Sequence, residues 1–181
     1  MISYGIDEKV KGSYNVVNLF KVGDKKQLGV LLIIVILTEA LGFLSGFLVM
    51  SNQGLYENLM KPSFSPPGWI FPIVWSILYL LMAISFYRIW LSGKYGKDVR
   101  KAMRYYFIQL GLNLIWPVIF FRFKLYGLAF IELLLLLVFI LLTTFQFYKI
   151  DKKAGLLMIP YIIWVSFAGV LNYVIWMFNE M

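Results

Sequence analysis

Six tryptophans, no histidine and no cysteine define the chemistry open to this 181-residue chain. Without imidazole or thiol it lacks the usual general base, the thiolate nucleophile and the commonest ligands for zinc or haem iron. It also shows no phosphate-binding glycine loop and no nucleophile beside a paired base, so nucleotide-driven pumping is excluded for this chain and no catalytic or metal-ligating set is assigned. What remains is recognition by ring stacking and hydrogen bonding. Trp75, Tyr79, Met82 and Phe86 fall on one helical face at i, i+4, i+7 and i+11, and Gln109, Asn113, Trp116 and Phe120 repeat that spacing. Trp164, Ala168, Leu171 and Asn172 form a third such face. Each face joins a large ring to a polar or small residue. If the faces converge, they enclose an aromatic cavity suited to a flat apolar ligand. If they do not, the rings fill the core, and Gln109, Asn113 and Asn172 tie neighbouring helices at about 0.6–2 kcal/mol each in lipid.

Two carboxylates, Glu39 and Glu132, sit inside apolar runs. An ionised carboxylate at mid-bilayer costs a few kcal/mol or more, so each must face the bundle, pair or stay protonated, for a functional or a structural end. Gly42, Ser45 and Gly46 give a small-residue stripe that allows close helix approach, within one bundle or between two copies.

These residues need lipid around them. The chain is 61% apolar and 14% charged, against about 45–50% and about 25% for a soluble domain. Five apolar runs reach the roughly 20 residues that a membrane helix requires: 28–50, 69–91, 103–121, 125–148 and 155–178. The fold class is therefore an all-α integral membrane protein, a five-transmembrane-helix bundle occupying residues 28–181. The short Arg122-Phe123-Lys124 turn makes the third and fourth spans antiparallel neighbours. Residues 1–27 form a basic leading segment in which Val16, Val17, Leu19, Phe20 and Val22 suggest a surface helix or a loose tail; the long first span and missing cleavage site argue against a signal peptide.

The net charge of +8 does not imply nucleic acid, because the cations sit in short clusters between apolar runs, as membrane anchors do. Lys9, Lys11, Lys21, Lys25 and Lys26 precede the first span, Lys94, Lys97, Arg100, Lys101 and Arg104 surround the second loop, and Lys149, Lys152 and Lys153 mark the fourth. Lys61, Arg122 and Lys124 fall on the other side. The positive-inside rule then places the N-terminus in the cytoplasm and the 51–68 loop outside. That loop, expected to be non-helical, is stiffened by Pro62, Pro66 and Pro67 and is either a plain connector or a cover for the bundle end.

Three stretches, KPSFSPPGWIFPIVWSILYLLM, QLGLNLIWPVIFF and PYIIWVSFAGVLNY, resemble the TspO/MBR family of tryptophan-rich sensory and translocator proteins. The likeness runs over about residues 54 to 179 in the same order. It implies a five-helix bundle, often a homodimer in a bacterial cytoplasmic membrane, that binds protoporphyrin IX, haem, benzodiazepine-type drugs and, in animals, cholesterol. No cofactor is required; the porphyrin is a ligand. Carried over by position, the implied ligand-binding residues are Trp75, Tyr79, Asn113, Trp116, Trp164 and Ala168, with Tyr56 and Pro66 in a covering loop.

The chain departs from the family at two loop positions, where Leu55 and Phe64 replace tryptophans. The resemblance also implies, as an alternative activity, light-driven porphyrin breakdown at Trp75 and Trp164, which the missing loop tryptophans put in question. The animal sterol pattern fails after Val170 and Tyr173, since no lysine or arginine follows, while Leu142, Tyr148 and Lys152 meet it by chance. A third reading is an interaction partner for other membrane proteins with no ligand role.

Overall fold

The computed structural model describes residues 19–22, 26–48 and 53–180. Its regular elements are helices: α1 (Leu28–Phe47), a short α2 (Gln53–Asn58), α3 (Ile70–Lys94), α4 (Arg100–Pro117) running on into a π-helical turn (Val118–Arg122), α5 (Tyr126–Ile150), α6 (Lys152–Leu157) and α7 (Ile159–Asn179). The protein is an all-α membrane bundle. By length and composition α1, α3, α5 and the continuous α6–α7 pair can each cross a bilayer. The fifth rod is α4, whose first five residues include Arg100, Lys101 and Arg104 and whose apolar stretch is completed by the π turn.

These segments are helical because a bilayer leaves every backbone N–H and C=O to be satisfied within its own segment. Polar side chains obey the same demand: the hydroxyls of Thr38, Thr143 and Thr144 donate back to carbonyls one turn earlier, those of Ile34, Phe139 and Ile140. α1 lies against α3 and α4, α5 stands between α4 and α7, and α6 packs on α3. Leu32, Ile36, Phe43, Ile131 and Ile163 project outward, as lipid contact requires.

Pro117 lacks the N–H that would bond the carbonyl of Asn113, and the helix widens there; the Phe123 N–H reaches the Val118 carbonyl at 3.0 Å, one residue further back than in an α-helix. Lys124, at φ 56, completes the reversal into α5.

The basic segments gather at one end of the bundle. Lys97 Nζ donates to the Ile150 carbonyl at 2.6 Å and Lys94 Nζ to Gln27 Oε1 at 3.2 Å. Arg88 fastens this end: it grips Asp151 through two hydrogen bonds of 3.0 and 2.7 Å and donates to the carbonyls of Leu19 and Lys21 at 2.7 and 2.8 Å. Asp151 also caps α6, accepting from the Ala154 N–H at 2.9 Å. Sequence reading passed over Arg88, a cation inside a span, because its partner lies 63 residues away.

One expectation needs correction, and two span boundaries shift by three residues. The segment from 51 to 68 is not wholly non-helical, since α2 forms before the first proline of that stretch, Pro62, is reached. The last span, expected from 155, starts at Lys152 and is interrupted at Met158, because Pro160 cannot donate in the first turn of α7. The second span runs to Lys94, beyond the expected 91, and ends on a residue whose ammonium donates to Gln27 Oε1. The surface helix or tail proposed around Val16 and Val17 lies outside the described residues.

The side chains of Arg88 and Asp151 are only 4% and 10% exposed, so breaking the pair strands a buried charge. Asp151→Asn should destabilise the bundle by about 3 kcal/mol, read from thermal melting in detergent. Burial alone would raise the Asp151 carboxyl, but the Arg88 hydrogen bonds and the Ala154 N–H outweigh it and hold it below the usual carboxylate range. Its contribution is therefore whole above the ordinary carboxylate pKa and is lost as pH falls through the lower folded value. That acid limb of the stability profile should be missing in Asp151→Asn.

Candidate functional site

At the end opposite the basic segments, α3, α4, α5 and α7 surround a small hollow lined by Phe71, Trp75, Asn113, Trp116, Leu133, Leu136, Trp164, Val165 and Ala168. Its free volume is about 20 Å³, room for about one water molecule. The walls are aromatic. Phe71 meets Trp164 edge-on at 5.8 Å between ring centres, Trp75 meets Tyr161 at 6.2 Å, and Trp116 stacks on Phe120 at 5.0 Å.

The polar part of the lining is Asn113, which is buried and joins three helices. The Tyr79 hydroxyl of α3 donates to Asn113 Oδ1, and Asn113 Nδ2 donates to the Tyr161 hydroxyl of α7 at 2.8 Å. Tyr79 in turn leans on Gly42 of α1, where a Cβ would collide with the ring. Gly42 thus serves close packing inside the bundle, as does Ser45, whose hydroxyl donates to the Leu114 carbonyl at 3.0 Å. Trp116 is held by its indole N–H, which donates to Asn172 Oδ1 at 3.1 Å, while Asn172 Nδ2 donates to the Tyr126 carbonyl at 2.9 Å. The Trp164 indole N–H is buried and has no hydrogen-bond partner among the described residues. It is an unused donor in the wall of the hollow.

The segment from α2 to α3 roofs this end. The Tyr56 ring packs edge-on against Phe71 at 5.2 Å, and its hydroxyl donates to the Pro66 carbonyl at 2.9 Å. Burial pushes that hydroxyl above its usual pKa, so it donates as the neutral phenol. Lys61 Nζ lies 4.2 Å above the Tyr56 ring and donates to the Tyr56 carbonyl at 2.7 Å. Phe64 reaches Phe167, which flanks Trp164. The segment is latched to α7 by Asn179, which accepts from the Met60 N–H at 3.1 Å and donates to the Met60 carbonyl at 2.9 Å.

Of the residues singled out in the sequence, Trp75, Asn113, Trp116, Trp164 and Ala168 meet at the hollow. Tyr79 stands behind Asn113 rather than in the lining, and Tyr56 and Pro66 belong to the roof. Gln109 is fully buried on the same face, yet neither of its amide atoms has a partner among the described residues. Glu132 is buried next to the lining residue Leu133 in the chain with both oxygens unpartnered among the described residues, and Glu39 is partly exposed on α1, outside the lining of the hollow. Sequence reasoning missed Phe71 and Tyr161, although both carried a signal: Phe71 is four residues before Trp75, and Tyr161 three before Trp164. Leu133 and Leu136 carried none, because α5 is apolar on every side.

The sequence profile of the TspO/MBR family matches residues 34–177 of the chain. The tryptophan-rich protein TspO of Chlorobaculum tepidum is 37% identical over 155 residues, spanning 85% of this chain and 98% of that one. Protein CrtK of Rhodobacter capsulatus is 34% identical over 131 residues, 72% of this chain and 82% of its own. The human translocator protein is 35% identical over 147 residues, 80% of this chain and 87% of its own.

Asn113→Leu should strand the Tyr79 and Tyr161 hydroxyls and lower stability by about 1–3 kcal/mol. Adding Tyr79→Phe and Tyr161→Phe should recover most of that loss. Melting temperatures of the single and triple variants in detergent decide it; a triple variant no more stable than the single would assign the loss to packing.

Proposed function

The chain belongs to the TspO/MBR family, and on that premise we propose that it binds porphyrins, protoporphyrin IX and haem among them, and similar flat apolar molecules, in tetrapyrrole sensing, transport or disposal. The observation that carries this reading is the meeting of three indoles from separate helices, Trp75, Trp116 and Trp164, around one hollow. Flat π-systems gain from offset and edge contacts with such rings beyond the area that they bury. Asn113 and the free Trp164 N–H supply the few polar groups that fix the orientation of a ligand in an apolar site.

A drug-sized ligand needs about 300–1,000 Å³, far more than the present hollow. Binding therefore requires the rings to swing apart and the roof to lift. The roof can do so at modest cost, since its named polar ties are those of Tyr56, Lys61 and Asn179. Haem would be held by its rim rather than by an axial imidazole or thiolate, as the chain contains neither. Lys61, at the roof, is placed to meet a propionate.

Protoporphyrin IX added to the purified protein should quench intrinsic fluorescence to saturation. Trp164→Phe, which keeps a ring but removes the N–H, should weaken the apparent affinity by about fivefold, the value of one hydrogen bond. An unchanged curve takes that N–H out of the site, and equilibrium dialysis showing no retained porphyrin rejects the reading as a whole. A second reading rests on Trp75 and Trp164 bordering the same hollow: light-dependent porphyrin breakdown. Illuminated complex should then give a new absorbing product that Trp75→Phe and Trp164→Phe each abolish.

A further inference from the structure

At the basic end, an open groove of about 690 Å³ runs between the last turn of α3 and the first turn of α4, lined by Trp90, Gly93, Lys94, Gly96, Lys97, Asp98, Val99, Arg100 and Met103. Three of these are exposed cations and one is an acid. The acid is already matched: Asp98 accepts from Arg100 at 3.1 and 3.2 Å, and that contact holds its carboxyl below the usual range. Exposed Lys101 and Arg104 continue the positive field along α4.

The cations keep hydrogen-bonding capacity. An ammonium has three donors, and the named hydrogen bonds use one on Lys94, to Gln27 Oε1, and one on Lys97, to the Ile150 carbonyl. The first turn of α4 holds no acidic residue, but Asp98 just before it accepts from the Arg100 N–H at 3.1 Å, so the cationic side chains rather than the helix end supply the positive field. The other wall is apolar and aromatic. Trp90 is half-buried with Lys94 Nζ 5.5 Å from its ring, and Val99 and Met103 continue toward the bundle.

We propose that this groove seats the headgroup of an anionic phospholipid, with the phosphate on Lys94, Lys97 and Arg100 and the glycerol and upper acyl chain on Trp90, Val99 and Met103. The pairing of a cationic rim with an indole and aliphatic floor favours a lipid over a free phosphate, because a soluble anion would leave that floor wet. The site is separate from the aromatic hollow, which lies toward the other end.

Native mass spectrometry of the detergent-purified full chain, offered phosphatidylglycerol or phosphatidylcholine of matched acyl chains, tests the proposal. Wild type should retain one phosphatidylglycerol in preference to phosphatidylcholine. The triple variant Lys94→Gln, Lys97→Gln, Arg100→Gln should lower that retention by about tenfold or more. A control losing equal charge at the same end, Lys149→Gln, Lys152→Gln, Lys153→Gln, should retain as wild type does, and Lys94→Arg with Lys97→Arg should also bind. Equal retention by the triple variant and wild type, equal loss in the control, or equal retention of the two lipids would each overturn the site. Displacement of the lipid by equimolar glycerol phosphate would reassign it to a soluble anion and overturn the lipid claim.

Discussion

Inside a bilayer, apolar side chains gain nothing by leaving lipid for one another, so the bundle depends on close approach and on polar groups satisfied across helices. Asn113 is the centre of that arrangement. Its amide holds the hydroxyls of Tyr79 and Tyr161, linking α3, α4 and α7 at one level. Other stitches repeat the principle: Ser45 joins α1 to α4, Ser85 donates to the Ala154 carbonyl and joins α3 to α6, and Asn172 joins α7 to both Trp116 and the Tyr126 carbonyl. Helix order, the depth of the hollow and the setting of its rings all follow from where these few polar groups sit.

The helical spans and the make-up of each tryptophan face were legible because both rest on short-range periodicity, whereas periodicity alone did not say whether the faces converge. The positions of Trp75, Trp116 and Trp164 on their faces follow from 3.6 residues per turn, and Asn113 lies one turn before Trp116. What could not be read was partnership across long separations. Arg88 looks misplaced in a lipid span until Asp151 and the carbonyls of Leu19 and Lys21 are brought to it by the fold. The contribution of α5 was hidden for another reason: Leu133 and Leu136 are chemically the same as the lipid-facing leucines around them, and only packing sets them apart. The break at Met158 and the π turn after Pro117 show proline acting at element ends, where a rule about allowed positions does not say how the chain adjusts.

The two ends of the bundle are built differently. The basic end is fixed by a nearly buried ion pair and by carbonyls gripped by a guanidinium. The opposite end is closed by ring contacts and a handful of hydrogen bonds at the surface. Phe64, although smaller than the tryptophan the family resemblance leads one to expect, still reaches Phe167. The nearly buried ion pair makes the basic end the costlier of the two to take apart.

The double hydrogen bond between Asn179 and Met60 joins the roof to the final turn of α7. The end of α7 is thereby mechanically in series with the segment over the hollow. A tilt of that helix in a thinner membrane is felt 119 residues earlier in the chain as tension on Met60.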